Sequence, residues 1–148
     1  MKTIVIFIVM LLSGIDVAEA ENNAFNCLTK TIYFESRGEP IPGQFAVGSV
    51  VMNRVRNTHY PNSVCQVVHQ PYQFSWTLLK GLKIRDKKAW RNAQHIAQIL
   101  LLKGGLKSNV GDSLDYHSKD VKPRWAKHYV KSLTLGNHIF YLRKKSWV

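Results

Sequence analysis

Acidic residues are scarce in this chain. Its 148 residues include nine Asp and Glu against 21 Lys and Arg, a net charge of +12. No acid occurs between Glu39 and Asp86, and Asp86 is placed to cap a helix. A second catalytic carboxylate would therefore have to come from the remaining downstream acids, which are Asp112, Asp115 and Asp120.

Motifs for metal-dependent and serine-dependent hydrolysis are also missing. The six histidines form neither His-x-x-x-His nor His-Glu-x-x-His, and the sequence has only two cysteines. No Gly-x-Ser-x-Gly turn is present. We therefore expect neither a zinc amidase nor a serine hydrolase, and no metal or other cofactor.

No apolar run is long enough to span a membrane. The run at 4–15 has 12 residues, whereas a span needs about 20. Lys2 precedes this run, and Ala18-Glu19-Ala20 has the small-x-small pattern that signal peptidases cleave. We predict a signal peptide at 1–20 and no stable membrane anchor after cleavage; an uncleaved anchor is the alternative. The mature chain, 21–148, is expected to form one domain.

The mature chain would be more basic still. Removing 1–20 leaves 20 basic and seven acidic side chains, a net charge of +13. An exported protein of this charge is expected to bind polyanions outside the cytoplasm, such as anionic glycan, lipid head groups or teichoic acids, rather than nucleic acid. The basic residues are scattered, so a solvated surface is the alternative for many of them.

Two cysteines, Cys27 and Cys65, are present. An even count in an oxidising compartment favours a disulfide, which would stabilise the domain by about 3–4 kcal/mol. The alternative is a nucleophilic cysteine, which needs an unpaired thiol and a histidine base.

Apolar periodicity predicts a mainly helical chain. Four helices are expected, at Phe25 to Ser36, at Pro42 to Arg56, from a Ser63 cap to Val68, and from an Asp86 cap to Gly104-Gly105. The segment HQPYQFSWTLL, at 69–79, is predicted to be an ordered loop. SLDYHS and HIFYLR are predicted to form a pair of short strands, with a brief helix around Pro123 to Leu133 between them.

One carboxylate falls on the apolar face of the first helix. Glu35 follows Ile32 by three residues and Leu28 by seven, so the three share a face. Burial raises a carboxyl pKa, and an acid protonated near neutral pH is what glycosidic cleavage requires. The alternative is a helix-end residue turned to water. Glu39, just before Pro40, is expected to meet the N-terminus of the second helix, which favours a carboxylate.

Four blocks carry a family resemblance. "CLTKTIYFESRGEPIPGQFAVGSVVMNRV", "YPNSVCQVVHQ", "QFSW" and "GNHIFY" occur in the order and approximate spacing of the SleB-like cell-wall hydrolases, from Cys27 to Tyr141. The resemblance implies a lysozyme-like, α+β but mainly α fold for a catalytic domain at 21–148. It also implies cleavage of peptidoglycan glycan strands, as a lytic transglycosylase that forms 1,6-anhydro-muramic acid products. We expect a monomer in the periplasm, the cell wall or the extracellular space.

The same resemblance assigns roles to individual residues. Glu35 would be the catalytic acid and base, and Arg37 and Glu39 would be structural. Side chains of types that bind or stack on sugars are expected to contact the substrate, namely Gln44, Gln73, Phe74, Ser75, Trp76, Tyr116, His117, Asn137 and His138. The alternatives are that Phe74 and Trp76 belong to the core and that the histidines are ordinary hydrogen-bonded residues.

Two other functions remain open. A muramidase that uses water usually needs a second carboxylate about 5–9 Å from the acid, and Asp115 is the best candidate. A non-catalytic, cationic protein that binds the cell envelope is the second alternative. Glu35 within its full motif argues against that class.

Overall fold

The computed structural model describes residues 4–102 and 110–143, with side chains from residue 17 onward. These residues form four α-helices and three strands, α1 (Ile4–Ser36), α2 (Ile41–Arg56), α3 (Val64–Val68), α4 (Lys87–Leu102), β1 (Asp115–Ser118), β2 (Val130–Leu135) and β3 (His138–Leu142). Short 3-10 turns occur at Ser75–Leu78 and Arg124–His128.

The first helix begins earlier than the periodicity predicts. It starts at Ile4 rather than Phe25 and continues through Ala20, where cleavage is expected. Ala18, Glu19 and Ala20 are exposed on it. Cleavage after Ala20 stays a prediction. None of the helices in the described part of the chain has both the length and the apolar character that a membrane crossing requires.

The helices surround one apolar core. Leu28 and Ile32 of α1 are fully buried, and Ile96 of α4 is almost so. Gly48 of α2 lies where these helices converge, because a Cβ there would come within 2.5 Å of Leu100 Cδ1 and 3.0 Å of Ile32 Cδ1. The small residue therefore allows α2 to pack closely between α1 and α4.

The predicted helix caps are confirmed. The Ser63 hydroxyl accepts a hydrogen bond from Gln66 N at 3.4 Å, and Asp86 Oδ1 accepts one from Ala89 N at 2.9 Å. Each satisfies an amide that its helix leaves unpaired. The predicted terminator of α4, Gly104-Gly105, lies outside the described residues.

The two cysteines form a disulfide, as predicted. Cys27 of α1 and Cys65 of α3 are joined with a Cα–Cα separation of 5.4 Å, and they are 38 positions apart in sequence. The bond fixes the short α3 against α1. No described cysteine is free, so the described structure offers no thiol nucleophile.

The sheet has one strand more than the sequence analysis predicts. Its antiparallel order is β1-β3-β2, and β2 occupies part of the segment that was expected to be helical. Only Arg124–His128 forms a helical turn there. Gly136-Asn137 connects β2 to β3 as a two-residue hairpin, and Gly136 has the positive φ, 54°, that such turns require. The fold class, α+β and mainly helical, is nevertheless confirmed.

A second, smaller core holds this sheet against α2. Val47 and Val50 of α2 pack with Phe140 of β3, and all three are fully buried. The sheet is thereby held beside the C-terminal end of α1, and the space between them forms a cleft.

Candidate active site

The cleft has a volume of about 690 Å³. Its walls come from the end of α1, the loop at 72–75, strand β1, the turn at 124–128 and the start of β3. Seven of the predicted site residues line it, namely Glu35, Gln73, Phe74, Ser75, Tyr116, His117 and His138. The structure thus brings together residues that are up to 103 positions apart in the chain.

Glu35 projects into this cleft from the last turn of α1. The Tyr116 hydroxyl of β1 donates a hydrogen bond to Glu35 Oε2 at 3.0 Å. Burial raises the pKa of Glu35 above its ordinary value, and the hydrogen bond from Tyr116 opposes that rise less strongly. Glu35 is therefore a partly buried acid with one fixed hydrogen-bond donor, rather than a helix-end residue turned to water.

Tyr116 keeps its proton at this position. Burial, together with the nearby charge of Glu35 and the hydrogen bond to it, raises the pKa of Tyr116 well above its usual value. The phenol therefore remains a donor across the neutral range. Its ring packs edge-on against His138 at 5.0 Å and tilted against Phe140 at 5.5 Å, which fixes the hydroxyl beside the carboxylate.

The second carboxylate of the cleft is already paired. Asp115 accepts two hydrogen bonds from Arg143, at 2.8 and 3.0 Å, and lies 3.7 Å from the guanidinium of Arg54. Arg54 is itself buried, and it donates to Leu114 O at 2.8 Å and to Gln73 Oε1 at 2.7 Å. Asp115 therefore joins the two arginines, and its charge is balanced within the wall.

Glu39 connects the break between α1 and α2 to the sheet. Its Oε2 accepts a hydrogen bond from Asn137 N, in the β2–β3 turn, at 2.7 Å. The expectation that Glu39 meets the N-terminal amides of α2 is wrong, because there Gly43 N and Gln44 N bond to Pro40 O. A Cβ on Gly136 would overlap Glu39 Oε2.

The two histidines of the cleft differ in how their rings are paired. His117 Nδ1 lies 2.7 Å from Ser118 O and Nε2 lies 2.9 Å from Tyr141 Oη. Nδ1 must carry a proton to bond a carbonyl, so in the neutral ring Nε2 accepts from Tyr141. His138 is buried, and its Nδ1 has no hydrogen-bond partner among the described residues. Burial lowers the pKa of His138, so this ring favours the neutral form.

The stretch Gln73-Phe74-Ser75-Trp76 divides between the cleft and the core. Gln73 and Ser75 are exposed at the cleft, whereas Phe74 is 2% exposed and forms part of its floor. Trp76 does not line the cleft, because it packs into the main core with its ring stacked on Phe34 at 5.5 Å. Phe74 and Trp76 therefore both pack in the core, as the alternative interpretation of the sequence expects, and Phe74 also lines the cleft.

Two more predicted contact residues lie away from the cleft. Gln44 is buried on α2, where its Nε2 donates to Glu39 O at 2.9 Å. Asn137 donates its side-chain amide to Asp120 Oδ2 at 3.2 Å and its backbone amide to Glu39. Both hold the helix break and the hairpin turn, and neither lines the cleft in which they were expected.

Several residues of the cleft were not predicted. One wall is lined by Trp125, in the 124–128 turn, and by Tyr129, which follows it. The guanidinium carbon of Arg143 lies 5.5 Å from the ring centre of Tyr60 and 5.4 Å from that of Tyr129. The position of Arg54 could have been predicted from the sequence, since it continues the apolar face of α2 that includes Val47, Val50 and Val51. For Trp125 and Tyr129 the sequence offers no indication beyond their aromatic side chains.

The described part of the cleft contains one carboxylic acid placed to donate a proton, Glu35, and no preformed metal site. Among residues 17–102 and 110–143, no three His, Cys, Asp or Glu side chains are placed to hold a metal ion. Within the part of the chain that the structure describes, Glu35 is the carboxylic acid of the cleft that has no cationic partner. The arrangement is suited to proton transfer to and from a molecule bound in the cleft.

Comparison of the sequence with models of protein families identifies the family of this chain. The model of the cell wall hydrolase family matches residues 38–141. This chain belongs to the cell wall hydrolase family. The match begins at Gly38, three residues after Glu35.

Two curated relatives of the family are spore cortex-lytic enzymes. The enzyme of Bacillus cereus is 30% identical over 122 residues, which cover 80% of this chain and 44% of that protein. The enzyme of Bacillus subtilis is 41% identical over 54 residues, 36% of this chain and 18% of that protein. The chain therefore spans less than half the length of these relatives.

Two solved structures share the fold of this cell wall hydrolase. The catalytic domain of Bacillus cereus SleB superposes with a TM-score of 0.65 at 27% identity, covering 82% of this chain and 91% of that one. The catalytic domain of the germination-specific lytic transglycosylase SleB from Bacillus anthracis gives 0.67 at 27% identity, covering 81% and 94%. The chain is SleB-like over most of its length, as its sequence motifs indicate.

Proposed function

We propose that this protein cleaves the glycan strands of peptidoglycan as a lytic transglycosylase, with Glu35 as its general acid and base. Membership of the cell wall hydrolase family and similarity to SleB catalytic domains support the substrate class. The observation that carries the mechanism is that Glu35 is the one cleft carboxylate without a cationic partner among the described residues.

The reaction would begin with proton transfer from Glu35. Its raised pKa increases the fraction that is protonated at a given pH, and the proton passes to the glycosidic oxygen as the bond to the muramic acid C1 breaks. The departing sugar leaves with a free hydroxyl. Positive charge develops at C1 and the ring oxygen, while Glu35 becomes a carboxylate beside it.

The second step would use the same carboxylate as a base. Glu35 accepts the proton of the muramic acid 6-hydroxyl, whose oxygen then bonds to C1 and closes the 1,6-anhydro ring. No water is consumed and the protonated acid is regenerated. Tyr116 stabilises the ionised intermediate state by donating to Glu35 Oε2, and its proton stays in place because its pKa is high.

The pairing of Asp115 with two arginines supports the transglycosylase reaction over hydrolysis. A hydrolytic muramidase would need a second carboxylate that activates water or attacks C1. Both oxygens of Asp115 accept from Arg143, and Arg54 adds a second positive charge. To activate water or attack C1, Asp115 would have to give up the hydrogen bonds that both its oxygens accept from Arg143.

Analysis of products tests the mechanism directly. Purified sacculi are digested with the protein, and the soluble fragments are examined by mass spectrometry. A transglycosylase gives fragments that end in 1,6-anhydro-muramic acid, which are one water lighter than hydrolytic products. Reducing ends throughout would replace the proposal with the muramidase mechanism. No soluble fragments, from protein that still sediments with the sacculi, would indicate a non-catalytic envelope-binding protein.

We also propose that the protein works outside the cytoplasm as a monomer and without a cofactor. Its substrate is extracytoplasmic, and its proposed chemistry uses only the side chain of Glu35 and the substrate's own hydroxyl. Activity that survives exhaustive chelation of metal ions is the expected result.

A further inference from the structure

A second, smaller groove lies beside the end of α1. It has a volume of about 390 Å³ and is lined by Tyr33, Phe34 and Arg37 of α1 and by residues of the segment 81–86 that leads into α4. None of its lining residues lines the active-site cleft. We call it the α1–α4 groove.

The α1–α4 groove is positively charged. Arg37, Lys83 and Arg85 line it and are exposed, and the ion pairs of the described residues all join other arginines to Asp115. The carboxylate in the groove, Asp86, is engaged at the start of α4, where it accepts from Ala89 N at 2.9 Å. The groove is therefore lined by three cationic side chains and by one carboxylate, which already accepts a hydrogen bond from α4.

The walls of the groove are fixed to one another. The hydroxyl of Tyr33, which is only 2% exposed, accepts hydrogen bonds from Arg85 N at 3.2 Å and from Asp86 N at 3.1 Å. The Arg37 guanidinium carbon lies 5.2 Å from the centre of the same ring. The segment before α4 is thus tied to α1, which lowers the entropy cost of binding a ligand between them.

The groove and the cleft are both lined by the last turns of α1. Phe34 lines the groove and Glu35 lines the cleft, and consecutive Cα atoms are about 3.8 Å apart. Phe34 also stacks on Trp76, whose neighbour Ser75 lines the cleft. Successive side chains of a helix point about 100° apart, so the two sites open on different sides of this turn. A helix is about 10–12 Å across, and a branch of about four extended residues on a sugar bound at Glu35, at about 3.3–3.6 Å per residue, would span that distance.

We propose that the α1–α4 groove binds a carboxylate on the peptide that branches from the glycan strand in the cleft. This inference rests on the proposed function for the identity of the polymer. Guanidinium groups bind carboxylates through two parallel hydrogen bonds, which suits Arg37 and Arg85. Phe34 and Leu82, which is 41% exposed, provide apolar surface for the aliphatic part of the peptide. A phosphate on a wall polymer has similar chemistry and is the competing source.

Binding to sacculi tests the groove independently of cleavage. Every variant carries Glu35→Gln, so the polymer stays intact while cosedimentation is measured. The groove variant is Arg37→Gln, Lys83→Gln, Arg85→Gln. The matched control removes the same charge from exposed sites on α1, α4 and β2, as Lys30→Gln, Arg91→Gln, Lys131→Gln. The groove variant should bind about tenfold more weakly than the control, as expected for one lost charged hydrogen bond. Equal melting temperatures establish that both variants are folded.

Two treatments of the polymer identify the ligand. Removing the peptides with an amidase should abolish the difference between the groove variant and the control. Removing phosphate polymers with hydrofluoric acid should leave it unchanged. Equal binding of both variants to untreated walls, or a difference that survives peptide removal, would overturn the proposal. A difference that disappears with the phosphate would assign the groove to phosphate instead. Groove-dependent binding without anhydro products from the wild type would refute the proposed reaction and leave the groove standing.

Discussion

The pair Glu35→Gln and Glu39→Gln separates chemistry from stability in the same short motif. Both changes replace a carboxylate by an amide of nearly the same shape. Glu35 faces the cleft beside Tyr116, whereas Glu39 binds the backbone amide of Asn137 in the β2–β3 turn. We therefore expect the first variant to be folded and inactive, and the second to be active and less stable.

The magnitudes follow from what each carboxylate does. Losing general acid–base catalysis typically costs 10²–10⁴-fold in rate, about 3–5 kcal/mol of activation free energy. Glu39→Gln keeps a hydrogen-bond acceptor for Asn137 N but makes it neutral. Since charged hydrogen bonds contribute about 1 kcal/mol more than neutral ones, we expect a melting temperature lower by about 2–4 °C and a rate within about twofold.

The two substitutions should change the stability of the folded protein in opposite directions near and above neutral pH, with Glu39→Gln lowering it and Glu35→Gln maintaining or raising it. Because burial raises the pKa of Glu35, the folded protein favours its protonated form. The stability that this preference contributes is present at acid pH and is lost as pH rises through the raised pKa. Glu35→Gln removes the cost of burying a charge, so above that pH its melting temperature should equal or exceed that of the wild type.

The assay combines the release of soluble glycan from sacculi with thermal unfolding of each variant at acid and neutral pH. Glu35→Gln with more than a tenth of the wild-type rate and a normal melting temperature would refute the assignment of the acid. An inactive Glu39→Gln with an unchanged melting temperature would show that the two roles are exchanged.

Four further outcomes are expected. The wild-type rate should fall as pH rises through the pKa of Glu35, and Tyr116→Phe should move this fall to higher pH, because the phenol opposes the upward shift of that pKa; a profile that moves the other way would contradict the hydrogen-bond assignment. Titration of denatured, unreduced protein should find no free thiol at Cys27 or Cys65, and reduction should lower the free energy of unfolding by about 3–4 kcal/mol in a denaturant titration. Gly136→Ala should destabilise the domain by at least about 1–2 kcal/mol, since it combines a positive φ with an overlap at a carboxylate oxygen; an unchanged denaturation midpoint would refute this account. Binding to sacculi should weaken as salt rises, because exposed charges are screened beyond about 8 Å at physiological ionic strength, and salt-insensitive binding would mean that contacts in the cleft dominate.

Local patterns predicted the helices and the placement of Glu35. Periodicity placed Glu35 on the face of Leu28 and Ile32, and the side-chain caps at Ser63 and Asp86 are confirmed. These features depend on spacings of three, four and seven residues, which the sequence displays directly. The strand β2 was missed although Gly136-Asn137, between two β-like runs, is a hairpin signal.

The partners of the two glutamates could not be predicted in this way. Tyr116 is 81 residues from Glu35, and Asn137 is 98 residues from Glu39. Such contacts depend on how the sheet packs against α2 rather than on any local period. The pairing of Asp115 with Arg143 was missed for the same reason, and it changes the role that Asp115 can have.

The acid and the disulfide lie on one uninterrupted helix, and this fixes their angular relation. Each residue of an α-helix advances the chain by about 1.5 Å and turns it by about 100°. One residue inserted between Ile32 and Glu35 would leave Leu28 and Cys27 in register with the core and with α3 but would rotate the carboxylate by about 100°, away from Tyr116. The eight-residue interval from Cys27 to Glu35 is therefore a fixed length in this chain. Surface loops can change length and leave the chemistry intact, whereas this interval can accept substitutions but no insertion or deletion.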